Sequence, residues 1–159
     1  MGLVLLALAF RPLPAAPAPA ATGLAITRVY TGWRAAASFK RISEYFDGRE
    51  NTGGETILRT HPDQRTGYYF LVRLANPGPA LPVKLGVLVV TGNGADNRLF
   101  PFATELKTGD TVVELGLTGP DWLDPKATPI AWKLDVTTAD GHPLASEKSY
   151  LWERPATKP

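Results

Sequence analysis

The sequence predicts a mainly β domain, an antiparallel β-sandwich of the immunoglobulin-like kind, with one candidate short helix near residues 35–46. Three observations carry this expectation. Roughly seven runs rich in Val, Ile, Leu, Tyr and Phe alternate with clusters of Gly, Pro, Asn and Asp. No strand–helix–strand rhythm interrupts them. The chain holds 15 glycines and 15 prolines but no cysteine, so turns are plentiful and the fold rests on its core alone.

Residues 1–21 read as a removable signal peptide or a disordered Ala/Pro leader. Leu3 to Phe10 is an unbroken apolar run, and Ala16, Ala18 and Ala20 offer small residues to a signal peptidase. No Lys or Arg precedes the run, which departs from the usual leader pattern. Arg11 and Pro12 end it far short of the ~20 apolar residues that span a bilayer, so no transmembrane span is expected. The expected address is export, to the periplasm or outside the cell. One domain over residues 22–155 and a disordered tail over 156–159 complete the organisation.

Leu24 to Tyr30 reads as the first strand, interrupted by Thr31-Gly32-Trp33. In Ala35 to Phe46, helical spacing places Phe39, Ile42 and Phe46 on one face; Ser38 suits a cap and Gly48 a stop. Asp47 to Gly54 is loop by composition, and Thr56 to Thr60 is a short strand. Tyr68 to Leu74 is a strong strand. Tyr68, Phe70, Val72 and Leu74 share a face, while Tyr69 and Arg73 take the other. The prolines of Asn76-Pro77-Gly78-Pro79 end it. Val83 to Thr91 is apolar on both faces in its second half, as a central strand would be. Gly92 to Asn97 reads as loop, Lys107 to Asp110 as a turn, and Thr111 to Leu117 as a strand.

The C-terminal hairpin is the clearest local pattern. Ile130, Trp132, Leu134 and Val136 alternate with Ala131, Lys133, Asp135 and Thr137, and Asp140-Gly141 marks a turn with Gly141 left-handed. The predicted register sets Val136 opposite Leu144, Lys133 opposite Glu147 and Ile130 opposite Tyr150. The last strand then carries Tyr150 and Trp152 on one face and Leu151 on the other.

Candidate chemistry is sparse. The formal net charge is +2, and basic residues are scattered among acidic ones, so neither a nucleic-acid nor an anionic-membrane partner follows from charge. The two histidines, His61 and His142, fall in turns with no cysteine or second histidine nearby, so no metal site is assigned. No serine occupies a Gly-x-Ser-x-Gly elbow. The acidic cluster Glu44, Asp47, Glu50 and Glu55 reads as solvated loop, as do Asp121 and Asp124. The first cluster also lacks the alternation of an EF-hand calcium loop. Gly92-Asn93-Gly94-Ala95-Asp96 lacks the Gly-Lys-Ser/Thr ending of a phosphate loop and reads as an inter-strand turn. No catalytic residue and no cofactor is assigned.

Aromatic side chains are the binding candidates: Trp33 with its neighbour Arg34, Tyr69, Trp122 and Trp152. Trp122 sits in a Gly-Pro-Asp-Trp-Leu-Asp-Pro loop, where adjacent Leu123 favours a plug over one end of the domain. Trp132 falls on an apolar strand face and reads as core. Exposed rings would anchor a protein partner, and a flat row of Trp33, Trp122 and Tyr69 would stack on sugars. The expectation is an exported, non-enzymatic structural or protein-interaction module acting on another envelope or extracellular protein. The alternative is a small carbohydrate-binding module.

Overall fold

The computed structural model describes residues 23–92 and 96–153. The leader at 1–21, the tail at 156–159 and most of the Gly92–Asp96 turn lie outside the described residues.

Among the described residues, eight strands form two four-stranded sheets. They are β1 (Ala25–Arg34), β2 (Thr56–Arg59), β3 (Gly67–Asn76), β4 (Leu81–Thr91), β5 (Asp96–Leu106), β6 (Gly109–Thr118), β7 (Ala131–Thr138) and β8 (Pro143–Lys148). The first sheet runs β1-β3-β6-β2 and the second β5-β4-β7-β8. The only α-helix among the described residues is α1 (Glu44–Asp47), a single turn. Among the described residues no helix is long and apolar enough to cross a membrane.

Period-two alternation builds the core between the sheets. Tyr68, Phe70, Val72 and Leu74 of β3 join Val113, Leu115 and Leu117 of β6 on one side. Val83, Leu85, Val87 and Val89 of β4 meet them from the other, flanked by Phe100, Phe102, Leu134 and Val136. Burying each such side chain stabilises the fold by roughly 1.5–3 kcal/mol. β4 lies centrally, paired with both β5 and β7. Trp122 plugs one end: it is buried, its ring centroid is 4.9 Å from that of Tyr68, and its Nε1 donates to the Ala127 carbonyl at 3.3 Å. Trp132 is half-buried against the core, edge-on to Phe70.

Several expectations are corrected. The sheets are not wholly antiparallel, because β2 pairs parallel to β6, with Leu58 beside Leu115. β1 runs unbroken through Thr31-Gly32-Trp33, since each residue keeps its partner on β3. The 35–46 segment is two separate turns, a 3₁₀ turn at Ala36–Phe39 and then α1. Only Phe39 of its expected apolar face is buried; Ile42 and Phe46 point outward. Gly48 does end α1 in a left-handed conformation, with φ 68°.

β5 begins at Asp96, inside the segment read as loop, and runs through residues to which the sequence reading assigned no element. It is an edge strand bonded only to β4, so Pro101 removes no ladder bond a neighbour needs. The hairpin turn forms as expected: the Gly141 N–H donates to the Thr138 carbonyl at 3.0 Å, and Gly141 has φ 91°. The register beyond it differs. An extra residue at Leu144 shifts β8, so Val136 faces Ala145 and Lys133 faces Lys148. Lys133 reaches along its own strand to Asp135 at 2.8 Å. β8 stops at Lys148, and Tyr150 and Trp152 lie in a 3₁₀ turn that follows it.

Candidate functional site

The outer face of the first sheet carries the most elaborate side-chain chemistry in the molecule. Register fixes who shares that face. Gly32, Tyr69 and Gly116 are directly opposed across β1, β3 and β6, and Leu71, Glu114 and Ile57 form the next row. Arg59 of β2 ends the first row beside Gly116, and Arg34 lies one step beyond it on β1, opposite Gly67. The connection between β1 and β2 folds back over this face and drops Phe39 onto Tyr69, with ring centroids 4.8 Å apart.

Phe39 is the hub. The Arg34 guanidinium carbon stands 3.9 Å from its ring centroid, and that of Arg59 stands 5.0 Å away. Arg34 donates to Glu114, a carboxylate that is only 5 % exposed in the middle of the sheet. Arg59 forks onto Glu50, with Nη1 at 2.9 Å and Nη2 at 2.6 Å, while its Nε donates to the Tyr69 hydroxyl at 2.8 Å. That hydroxyl donates in turn to the Arg65 carbonyl at 2.6 Å. Burial pushes the Tyr69 phenol above its usual range, against the opposing hydrogen bond from Arg59.

Arg65 completes the clamp. Its Nη1 donates to Glu44 at 2.6 Å, and its Nε lies 3.4 Å from Glu50. Glu44 also accepts from the backbone N–H groups of Asn51 and Arg41. Arg59 and Arg65 thus hold the β1–β2 connection through Glu50 and Glu44, and Arg34, itself held by Glu114, stacks on its Phe39. Glu44 and Glu50 are not the solvated loop residues their composition suggests.

Between this connection and β1 runs an open groove of about 510 Å³. Tyr30, Gly32, Arg34 and Leu71 line it from the sheet, and Ser38, Arg41 and Glu55 from the connection. A Cβ added at Gly32 would meet nothing within 4 Å, so the groove is open directly above that residue.

The structure brings three of the five aromatic-patch candidates to this place: Trp33, Arg34 and Tyr69 all line the groove. Trp33 is half-buried and packs its side chain toward the core, and Tyr69 is 2 % exposed. Trp122 and Trp152 lie elsewhere. Tyr69 and Trp122 serve opposite faces of β3, since Trp122 packs on Tyr68, so no flat row of Trp33, Trp122 and Tyr69 exists. Sequence reading missed Phe39, Arg59, Arg65 and Glu114 as members of one network. Arg59 and Glu114 carry one signal, charge on strands otherwise apolar, whereas Phe39 and Arg65 lie in connections and carry none.

A second polar cluster holds the Trp122 loop. Asp121 accepts from Arg98 and lies 3.1 Å from His61 Nε2. No group of three or more His, Cys, Asp or Glu among the described residues is placed to hold a metal ion.

No protein-family model matches the chain, and no curated protein does. Among solved structures the chain is similar to an immunoglobulin-like protein from Pseudomonas aeruginosa, at 19 % identity, covering 81 % of this chain and 96 % of that one, with a TM-score of 0.34.

Proposed function

We propose that this chain is an exported, non-enzymatic β-sandwich of immunoglobulin-like arrangement that binds another envelope or extracellular protein through the outer face of its first sheet. One observation carries the reading: the groove above Gly32 is open while Arg34, Glu114, Glu50 and Phe39 of its lining are held by charged hydrogen bonds and ring stacking. A preorganised, solvent-open channel beside an edge strand suits an extended segment of a partner, whose side chains would fill it and whose backbone would lie along β1. The charged groups here are engaged with one another, which suits holding a shape.

The test fills the groove. Gly32 has no left-handed backbone requirement and no neighbour in the way, so Gly32→Phe leaves the fold intact. A photo-crosslinking residue at Tyr30, which lines the groove on the same face as Gly32, is expected to form an adduct with one protein in the native host, and Gly32→Phe to abolish it at unchanged melting temperature. An adduct that survives Gly32→Phe places the binding surface elsewhere. Export rests on the Leu3–Phe10 run, and N-terminal sequencing of the protein recovered outside the cytoplasm tests it.

A further inference from the structure

We propose that the segment from Lys40 to Arg49 docks the domain onto an anionic lipid surface, independently of the groove. The segment is built inside out. In a helical turn at the surface of a domain the charged residue normally faces water and the apolar residues face the core. Here Glu44 turns inward to Arg65, with its side chain 8 % exposed, while Ile42, Tyr45 and Phe46 are 79, 75 and 87 % exposed. The inward turn of Glu44 serves the clamp, and Lys40 stands 5.9 Å from the Tyr45 ring centroid, but the outward turn leaves three large apolar side chains to solvent.

The presentation is rigid. Besides Glu44, Asn51 Nδ2 donates to Ser43 at 2.9 Å, and Gly48 ends the turn with its N–H on the Glu44 carbonyl. Leu99 and Leu123 stand singly, as is ordinary for a surface, and Tyr150 and Leu151 form an exposed pair. Ile42, Tyr45 and Phe46 stand within five consecutive residues of one turn.

Size and charge choose the occupant. Three such side chains offer on the order of 500 Å², whereas a stable protein interface takes about 800 Å² from each partner. A bilayer needs only a few inserted side chains, and tyrosine suits the headgroup boundary. Lys40, Arg41 and Arg49 flank the turn. Arg41 is 3.5 Å from Glu55, but neither Lys40 nor Arg49 forms an ion pair among the described residues. Asp47 accepts from the Arg49 backbone N–H at 3.0 Å, and Asp63 lines the hollow beside Lys40 and Tyr45, so the three basic residues outnumber the two carboxylates that Arg65 does not hold. The basic flank attracts anionic headgroups and opposes a second copy of itself. The whole-chain charge balance conceals this local surplus.

The absence of cysteine makes the test local. Phe46→Cys in the full chain carries one environment-sensitive dye; Lys84→Cys, on the outer face of the second sheet, is the control. Vesicles of phosphatidylglycerol and phosphatidylcholine at ~1:2 are expected to shift the dye at position 46 to the blue and leave that at 84 unchanged. Adding Tyr45→Ser is expected to weaken the response about tenfold, and pure phosphatidylcholine to give little response. A dye at 46 that stays in water while the apolar Leu3–Phe10 run carries the chain to the vesicle overturns the proposal. Equal response to pure phosphatidylcholine overturns its charge component. A dye that stays in water at position 46 where a crosslinker captures a protein assigns the turn to that protein instead.

Discussion

The ring of Tyr69 occupies the space that a side chain at Gly116 would need. A Cβ built on Gly116 would stand 2.5 Å from the ring Cε1 and 2.7 Å from Cζ. The two residues are direct cross-strand partners on β3 and β6. Gly116→Ala therefore drives the ring off its seat, and with it the hydrogen bonds that Tyr69 makes to Arg59 and Arg65. Gly116 is not left-handed, so the cost is steric and not conformational. We expect a loss of about 1–3 kcal/mol in urea unfolding. Tyr69→Leu combined with Gly116→Ala is expected to cost less than the two single losses added together, because the residues are in contact. Strict additivity would show that the ring had another place to go.

Arg34 and Glu114 make the next prediction. Glu114 is buried and receives Arg34, whose side chain is 32 % exposed. Arg34→Met leaves a carboxylate in the sheet with no arginine, which is the expensive way to break such a pair. Because Arg34 is partly solvated, we expect a loss of about 1–3 kcal/mol. Arg34→Met with Glu114→Leu removes both charges and is expected to recover most of it. Thermal unfolding of the three variants reads the difference. A double variant no better than Arg34→Met would show that stacking of Arg34 on Phe39, and not charge pairing, is what matters.

This pair also shows where sequence reading stops. β3 and β4 are legible because one face of each is core, and alternation records that directly. The same alternation places Glu114 outward between Val113 and Leu115, but an outward glutamate ordinarily means water. Its partner lies 80 residues earlier in the chain, and nothing local links them. The parallel pairing of β2 is invisible for a related reason, since four residues carry no sign of strand direction. β5 escapes notice because an edge strand tolerates Pro101. Trp33, Arg34 and Tyr69 do converge on one groove, yet their local sequence cannot say that the ring of Tyr69 is covered by Phe39.

Two carboxylates set the acid response. The Arg65 hydrogen bond holds the Glu44 carboxyl below its usual range, opposed by burial and aided by the Asn51 and Arg41 N–H groups. Burial raises Asp121, but hydrogen bonds from Thr60 and Arg98 and the charges of Arg98 and His61 outweigh it, leaving a net fall. Each group therefore binds protons more weakly folded than unfolded. Their stabilisation is present above the unfolded values, ~4.3 for Glu and ~3.9 for Asp. It is lost as pH falls through the lower folded values. Glu44→Gln and Asp121→Asn are each expected to flatten the slope of stability against pH in that window. An unchanged slope in both would place the acid response in other carboxylates.

Trp122 and Trp152 separate the plug from the periphery. Trp122 is 6 % exposed, packs on Tyr68 and closes the end of the core where Asp121 anchors its loop to Arg98. Trp152 follows the last strand in a 3₁₀ turn, half-buried and outside the core cluster. Trp122→Ala opens a cavity beside Tyr68 and is expected to cost about 3–5 kcal/mol. Trp152→Ala leaves no enclosed void and is expected to cost less than about 1 kcal/mol. With four tryptophans in the chain, difference emission between the parent and each variant reads the two: the component lost in Trp122→Ala is expected to be blue-shifted and poorly quenched by iodide, and that lost in Trp152→Ala to be quenched. A Trp152→Ala loss as large as that of Trp122→Ala would mean that the C-terminal turn is part of the core closure, with Leu151 and Tyr150 covering Ala131 on the second sheet.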